Sequence, residues 1–208
     1  MIFIDSIKQK LKSSLPGKSS HLKLAPFAAR LDYLIPEDVY QAAVLILLYY
    51  NNDKLCFPLI TRQSHHQEDK HRGQIALPGG RKDLEDEDTH ITSLRECSEE
   101  IGVHRDQIEL LGALSPLYIP VSHHHVFPYV GFYHGELKFN LQASEIHSIH
   151  EIEVEDLLEI ENRKSQELKT TDGPMREVPT IQIGDLTIWG ATAMILEEFS
   201  DVVKSVTI

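Results

Sequence analysis

The sequence predicts a mixed α/β or α+β sandwich: one main domain over residues 39–208, preceded by an N-terminal helix and arm over residues 1–38. Three observations carry this expectation. A length of 208 residues suits a single domain, since domains run to roughly 100–200 residues. A composition of 41% hydrophobic and 25% charged residues is that of an ordinary globular chain rather than a disordered one. Strand-like apolar runs and helix-like periodic stretches are interleaved along the chain, an order that lays helices against a sheet.

Residues 4–15 place Ile4, Ile7 and Leu11 at helical spacing. Pro16 and Gly17 end that helix, and residues 18–36 read as an irregular arm. Lys8, Lys10, Lys12, Lys18 and Lys23 give this region a basic bias, read as a solvated face, with phosphate contact as the lesser alternative. The main domain begins near Val39. Ala42–Tyr50 is a continuous run of nine apolar residues, the pattern of a strand buried on both faces. Asn51, Asn52 and Asp53 supply a turn, and Leu55–Thr61 is expected as the hairpin partner. Residues 62–72 are polar and histidine-rich and read as a loop, followed over 73–80 by a short strand running into Gly79 and Gly80. Asp88–Ile101 is expected to be helical, with Asp88 as N-cap and Gly102 just past the end. Strand-like runs follow at 108–119 and 126–137, then an acidic amphipathic stretch at 145–161. A turn-rich excursion at 170–174 leads to strands near 178–183 and 186–189 and a last helix at 191–203.

Several function classes fall away on composition. A formal net charge of −12 argues against nonspecific nucleic-acid binding, which needs a cationic surface. The longest apolar run is about half of what a membrane-spanning helix requires. The start of the chain has neither the charged first segment nor the long apolar middle of a signal peptide. Cys56 and Cys97 are far apart and form no metal or disulfide framework. A reducing, cytoplasmic compartment is the expectation.

The chemistry concentrates at residues 94–103. On a helix, Leu94, Cys97 and Ile101 fall on one stripe and face a core. Glu96, Glu99 and Glu100 then crowd an arc of about 100° on the other side. Like charges at these spacings repel, and Arg95 pairs with Glu99 at i+4 while two carboxylates stay uncompensated. Such a cluster is either a solvated acidic face or a site awaiting a cation. Just upstream, Leu77-Pro78-Gly79-Gly80 is a backbone with few side chains that a ligand could approach closely. Oxygen ligands without a His/Cys set suit magnesium or manganese rather than zinc. Cys97 reads as a small buried hydrophobe on the stripe.

These residues resemble the Nudix box, GG…E…REUXEEXGU with U apolar. The match runs through Gly79-Gly80, Glu87, Arg95-Glu96-Cys97, Glu99-Glu100 and Gly102-Val103. From Gly80 to Arg95 is fifteen positions, where the usual spacing is fourteen. The extra residue is similar to the coenzyme A pyrophosphatase branch of that family, whose signature LLTxRS…R…GxxxFPGG resembles residues 59–80. Here Arg62 is displaced by one position, Gln63 stands where arginine is expected, Glu68 or Asp69 stands near a second arginine, and Leu77 replaces phenylalanine. Lys70 and Arg72 are the substitute cations. Residues 122–133 and 188–199 resemble the branch's later strand and its C-terminal Trp-Gly-x-Thr-Ala helix.

The resemblance implies a Nudix α/β/α sandwich with a mixed sheet. It also implies divalent-metal-dependent hydrolysis of a nucleoside-linked pyrophosphate, with coenzyme A or acyl-coenzyme A as substrate. Alternatives are another nucleoside diphosphate linked to a second group, such as ADP-ribose or NADH, and a non-catalytic nucleotide-binding module. The implied metal ligands for Mg2+ or Mn2+ are Glu96, Glu99 and Glu100 with a backbone carbonyl at Gly79 or Gly80. Arg95 orients the glutamates, with Glu87 as its expected partner. Glu96, Glu100 and Glu145 are the candidates for general base, although Glu145 reads equally as an acid at a helix N-terminus. Arg62, Lys70, Arg72, Gly79 and Gly80 are the expected substrate contacts, the three cations being offered to the 3′-phosphate of coenzyme A. The expected partner is a small-molecule nucleotide, with no nucleic acid and no membrane; a homodimer is compatible with the sequence. His123, His124 and His125 alternate in direction along a strand and cannot all ligate one ion; they read as substrate-facing or solvated. His65, His66 and His71 read as loop histidines or phosphate contacts, and Trp189 as core.

Overall fold

Ile4, Ile7 and Leu11 are buried along one side of α1 (Ile2–Leu11) in the computed structural model, which describes residues 2–63, 74–142, 144–170 and 173–206. The helix stops four residues short of the expected Leu15. Ser13 closes it by giving both its amide and its hydroxyl to the Lys10 carbonyl, the local competition that makes serine a poor helix interior. The arm is more regular than the sequence implied. It holds one helical turn, α2 (Lys18–His21), and a short 3-10 turn at Ala28–Leu31. Glu198, fully buried, anchors it: the carboxylate accepts from the Gly17 amide at 3.0 Å and the Ser115 hydroxyl at 2.6 Å, and meets His21 Nε2 at 3.0 Å. Lys8, Lys18 and Lys23 are in ion pairs with Glu109, Asp32 and Asp201.

Strand β1 (Tyr40–Asn51) and β2 (Lys54–Arg62) form the expected hairpin, with Asn52 and Asp53 both at positive φ in its turn. The glycine segment yields two short strands, β3 (Ile75–Ala76) and β4 (Gly79–Arg81), before α3 (Thr89–Ile101). The apolar run at 108–119 breaks into β5 (Ile108–Ala113) and β6 (Leu117–Ile119), and β7 (His124–Tyr133) follows. Residues 145–161 do not form one amphipathic element. They split into β8 (Ile146–Glu153) and the single-turn helix α4 (Val154–Leu158), because pairing with β2 over Cys56–Arg62 takes the first half. A strand the sequence reading passed over, β9 (Arg163–Lys169), joins β10 (Met175–Ile183) and β11 (Leu186–Trp189) in a separate three-stranded sheet. Helix α5 (Gly190–Lys204) closes the described chain.

The main sheet is mixed. Its path runs β3-β2-β1-β7-β5, with β1 parallel to β7 and antiparallel to both β2 and β4. Burial on both faces of β1 follows from the two layers it separates. Ala42, Ile46 and Leu48 enter the cluster shared with α1 and α5, while Leu45, Leu47 and Tyr49 enter the one shared with α3. Helix, sheet and helix layers therefore stack as the sequence implied, and β4 hangs across the face of α3 that points away from its core.

Candidate active site

Asp88 caps α3 by accepting the Thr89 amide at 2.5 Å, and Gly102 ends the helix at φ 73° with its amide on the Ser98 carbonyl. Cys97 and Ile101 are fully buried against the sheet, as the stripe predicted. Burial pushes the Cys97 thiol far up, which leaves it inert.

The three glutamates are not equivalent, and here the helical wheel misplaces one of them. Glu100 is 0% exposed. Strand β4 and Arg62 on β2 cover the helix side that a single-helix argument assigns to solvent. Its Oε2 accepts the Gly79 amide at 2.8 Å and its Oε1 accepts Arg62 Nη2 at 2.9 Å. Burial pushes its pKa up to about 7, against the pull of Arg62 and of the Gly79 amide. Glu96 is half-buried and also raised, again chiefly by burial. Glu99 lies exposed at the rim.

Arg95 binds this cluster together. Nη1 donates to Glu96 Oε1 and Glu99 Oε2, both at 3.0 Å, and Nη2 donates to the Arg81 carbonyl at 3.2 Å. Its carboxylate partner is Asp86, not Glu87. Nε reaches Asp86 Oδ1 at 3.1 Å and Nη2 reaches Oδ2 at 2.9 Å. Asp86 is 4% exposed and also accepts from Thr92 Oγ1 and the Asp83 amide, whereas Glu87 points to solvent. A turn closed by the Asp86 amide on the Asp83 carbonyl swings residue 86 inward. Counting back along the box lands on Glu87; the Asp83-x-x-Asp86 turn spacing is the signal that would have found the true partner. Arg95 holds Asp86 well below the ordinary carboxylate range, at about 2.

Gly79 and Gly80 do separate jobs. Gly79 sits at φ 152° against the β1 backbone, where a Cβ would overlap the Ala43 carbonyl. A Cβ on Gly80 would instead overlap the Glu96 carboxylate. This close glycine–carboxylate cradle and an all-oxygen donor set fit a hard divalent cation. Among the described residues no three acidic, histidine or cysteine side chains already converge in coordination geometry; Glu96, Glu99 and Glu100 are engaged by Arg95, Arg62 and the Gly79 amide.

Glu145 sits in the turn before β8, its amide on the Gln142 carbonyl, so it is not at a helix N-terminus. It is exposed, accepts the Gln142 amide group at 3.3 Å, and its charge adds to the upward shift of Glu100. Lys70, Arg72, His65, His66 and His71 lie outside the described residues.

Gly79, Gly80 and Arg62 border a cavity of about 440 Å³. The arm contributes Phe27, Arg30 and Tyr33 to its wall, and the β10–β11–α5 region contributes Arg176 and Trp189. Trp189 is thus half-buried on the cavity rather than core; its neighbour Ile188 fills the core position. His124 faces the cavity, while His123 occupies a positive-φ turn and His125 packs on Phe127 with its Nε2 buried. Arg30, Arg176 and the cavity role of Trp189 escaped the sequence reading, because nothing local links an arm residue to strands about 150 positions later.

The family model of the NUDIX domain matches residues 39–172. The Nudix hydrolase NudL of Yersinia pestis (strain Pestoides F) is 32% identical over 168 residues, covering 79% of this chain and 80% of that protein. Among solved structures, a MutT/nudix family protein from Enterococcus faecalis superposes with a TM-score of 0.55 at 23% identity, covering 90% of this chain and 73% of the other. The NUDIX domain of Shewanella oneidensis NrtR, crystallised with ADP ribose, superposes at 0.52 and 16% identity, covering 80% and 89%. These two likenesses concern the fold.

Proposed function

The chain belongs to the Nudix family and is a hydrolase, and from that premise we propose that it cleaves the pyrophosphate of coenzyme A or acyl-coenzyme A in a divalent-metal-dependent reaction. The observation that carries the chemistry is the Gly80–Glu96 cradle beside Glu99 and Glu100, organised by the Arg95–Asp86 pair. Glu96, Glu99 and Glu100, with the Gly80 carbonyl, would hold Mg2+ or Mn2+. Such an ion would supply neutralisation of the negative charge that develops on the phosphate oxygens. Arg95 fixes the glutamate rotamers before substrate arrives, so reorganisation in the site is small. Arg62, bound to Glu100, lies at the pyrophosphate end, and Gly79–Gly80 let the substrate approach the backbone.

In the reaction a water oxygen bonds to one phosphorus, the bridging P–O bond breaks, and the water proton passes to a carboxylate. Glu145, exposed beside Glu100, is the carboxylate we assign to receive it. The products are adenosine 3′,5′-bisphosphate and 4′-phosphopantetheine or its acyl form. The choice of coenzyme A rests on the resemblance of residues 59–80 and on the lengthened spacing between Gly80 and Arg95. The free, buried thiols of Cys56 and Cys97 fit action in a reducing cytoplasm.

Incubation with magnesium and a panel of coenzyme A, dephospho-coenzyme A, ADP-ribose and NADH, with products resolved by mass, tests the reading. Coenzyme A should be the preferred substrate, and Glu99→Gln should slow its hydrolysis by at least ~100-fold, about 2.7 kcal/mol of barrier. Preferred cleavage of ADP-ribose would overturn the substrate assignment, and near-normal turnover by Glu99→Gln would remove that carboxylate from the mechanism.

A further inference from the structure

A protein of net charge −12 that acts on a polyanion must concentrate positive charge where the substrate lies. The cavity does so. Four arginines, Arg30, Arg62, Arg81 and Arg176, line it, and among the described residues no aspartate or glutamate does. The four are not alike. Arg62 is bound to Glu100, and Arg81 lies 3.7 Å over the Tyr40 ring, with its carbonyl taken by Arg95. Both sit at the glutamate end, where a pyrophosphate belongs. Arg30 sits on the arm, in the turn that begins at Phe27, and Arg176 sits on β10. The Arg30 amide bonds the Phe27 carbonyl at 3.0 Å, and the Arg176 guanidinium lies 5.8 Å over the Phe27 ring.

Arg30 is half-buried, and one of its nitrogens donates to the Tyr118 carbonyl at 2.8 Å, which fixes the side chain in place. Among the described residues no carboxylate is within ion-pair distance of it. A guanidinium stays charged even when buried, and a desolvated cation held rigid with donors to spare is matched to a phosphate or carboxylate group. Phe27, Tyr33 and Trp189, which line the same cavity, supply flat apolar surface of the kind a nucleobase stacks on.

We infer that the arm-built end of the cavity is a second anion subsite, in which Arg30 and Arg176 bind a phosphate carried on the nucleoside and remote from the pyrophosphate that is cleaved. This rests on the nucleotide-hydrolase reading above and deepens it: the arm, outside the matched family region, selects substrates bearing that additional phosphate. It also moves the recognition of a 3′-phosphate away from Arg62, whose charge is shared with Glu100.

Calorimetric binding of two probes, adenosine 3′,5′-bisphosphate and adenosine 5′-monophosphate, to the full chain tests this without needing turnover. The wild type should bind the bisphosphate at least ~10-fold more tightly. Arg30→Gln and Arg176→Gln should each reduce that ratio several-fold, while their affinity for the monophosphate stays within about twofold, which also shows that the variants are folded. Arg30→Lys should keep part of the ratio. Equal wild-type affinity for the two probes overturns the subsite, as does a ratio that survives both glutamine variants. A ratio lost only on replacing Arg62 overturns it as well. The hydrolase reading fails separately, if the wild type with magnesium yields no product from coenzyme A while the binding ratio is present.

Discussion

Asp86 and Glu100 are two carboxylates buried by the same helix and pushed in opposite directions, and each makes its own prediction. Removing Asp86 strands Arg95 and releases its grip on Glu96 and Glu99. Breaking a buried pair by deleting one partner costs about 3–5 kcal/mol; with Arg95 at 20% exposure the low end applies. Asp86→Ala should therefore lower the melting temperature by roughly 6–12 °C, at about 2–4 °C per kcal/mol for a chain of this size, and slow hydrolysis as well. Glu87→Ala, at an exposed position, should shift stability by less than about 0.5 kcal/mol. If the two variants melt alike, the assignment of Arg95's partner is wrong. The pH signs also differ. Asp86 is held near 2, so its stabilisation is complete above the ordinary carboxylate value and is lost as pH falls toward 2. Glu100 is raised to about 7, so the folded protein binds more protons than the unfolded chain between its ordinary value and 7. Without metal, its contribution is complete below that window and is lost as pH rises through it. The gain in melting temperature from magnesium should consequently grow between about pH 6 and 8 in the wild type, and less so in Glu100→Gln. A pH-independent gain would contradict this linkage.

Strand β4 shows what an element of three residues contributes. Gly79 and Gly80 stand side by side, yet substitution should separate them. Gly79→Ala places a methyl against the β1 backbone at a φ that side chains rarely adopt, so the fold should suffer by more than about 2 kcal/mol. Gly80→Ala meets only the far end of the Glu96 side chain, which can swing aside. Its melting temperature should stay close to that of the wild type while turnover falls by about 10–100-fold, because the displaced carboxylate leaves its place in the cluster. Equal losses of stability in both variants would refute the division. The same strand explains how much of the site was legible. The stripe of Leu94, Cys97 and Ile101, the Asp88 cap and the Gly102 stop depend on periodicity and local hydrogen bonds, which a sequence displays. The burial of Glu100 depends on Gly79 and Arg62 arriving from elsewhere in the chain, and the helix pattern alone assigns that face to water. Strand β8 was obscured for a similar reason. Ile146, Ile149 and Ile152 repeat at a spacing of three that mimics a helix, and pairing with β2 decides the matter.

At the scale of the whole molecule, the interior and the surface were legible to different degrees. Apolar residues on both faces of β1 already called for layers on both sides, whereas the charge excess gave a total without a distribution. The distribution is what substrate binding depends on: −12 overall, with four arginines and no described carboxylate lining the cavity. These two fields have different ranges. At about 0.01 M ionic strength the Debye length is about 30 Å, comparable to the molecule itself, so an approaching polyanion feels the net negative charge. At about 0.1 M it contracts to about 10 Å, and the distant acids are screened while the cavity arginines, in near contact with bound substrate, are not. Raising salt from about 0.01 to 0.1 M at fixed free magnesium should then increase kcat/KM for coenzyme A, in contrast to enzymes steered by a cationic surface, whose association slows as salt is added. Above about 0.3 M the contact pairs are screened in turn, with a Debye length approaching 3 Å at 1 M, and kcat/KM should fall through KM rather than kcat. A steady decline from the lowest salt would mean that the attraction at the cavity mouth already outweighs the charge of the whole protein at long range, and that the acidic surface has no part in setting the approach of substrate.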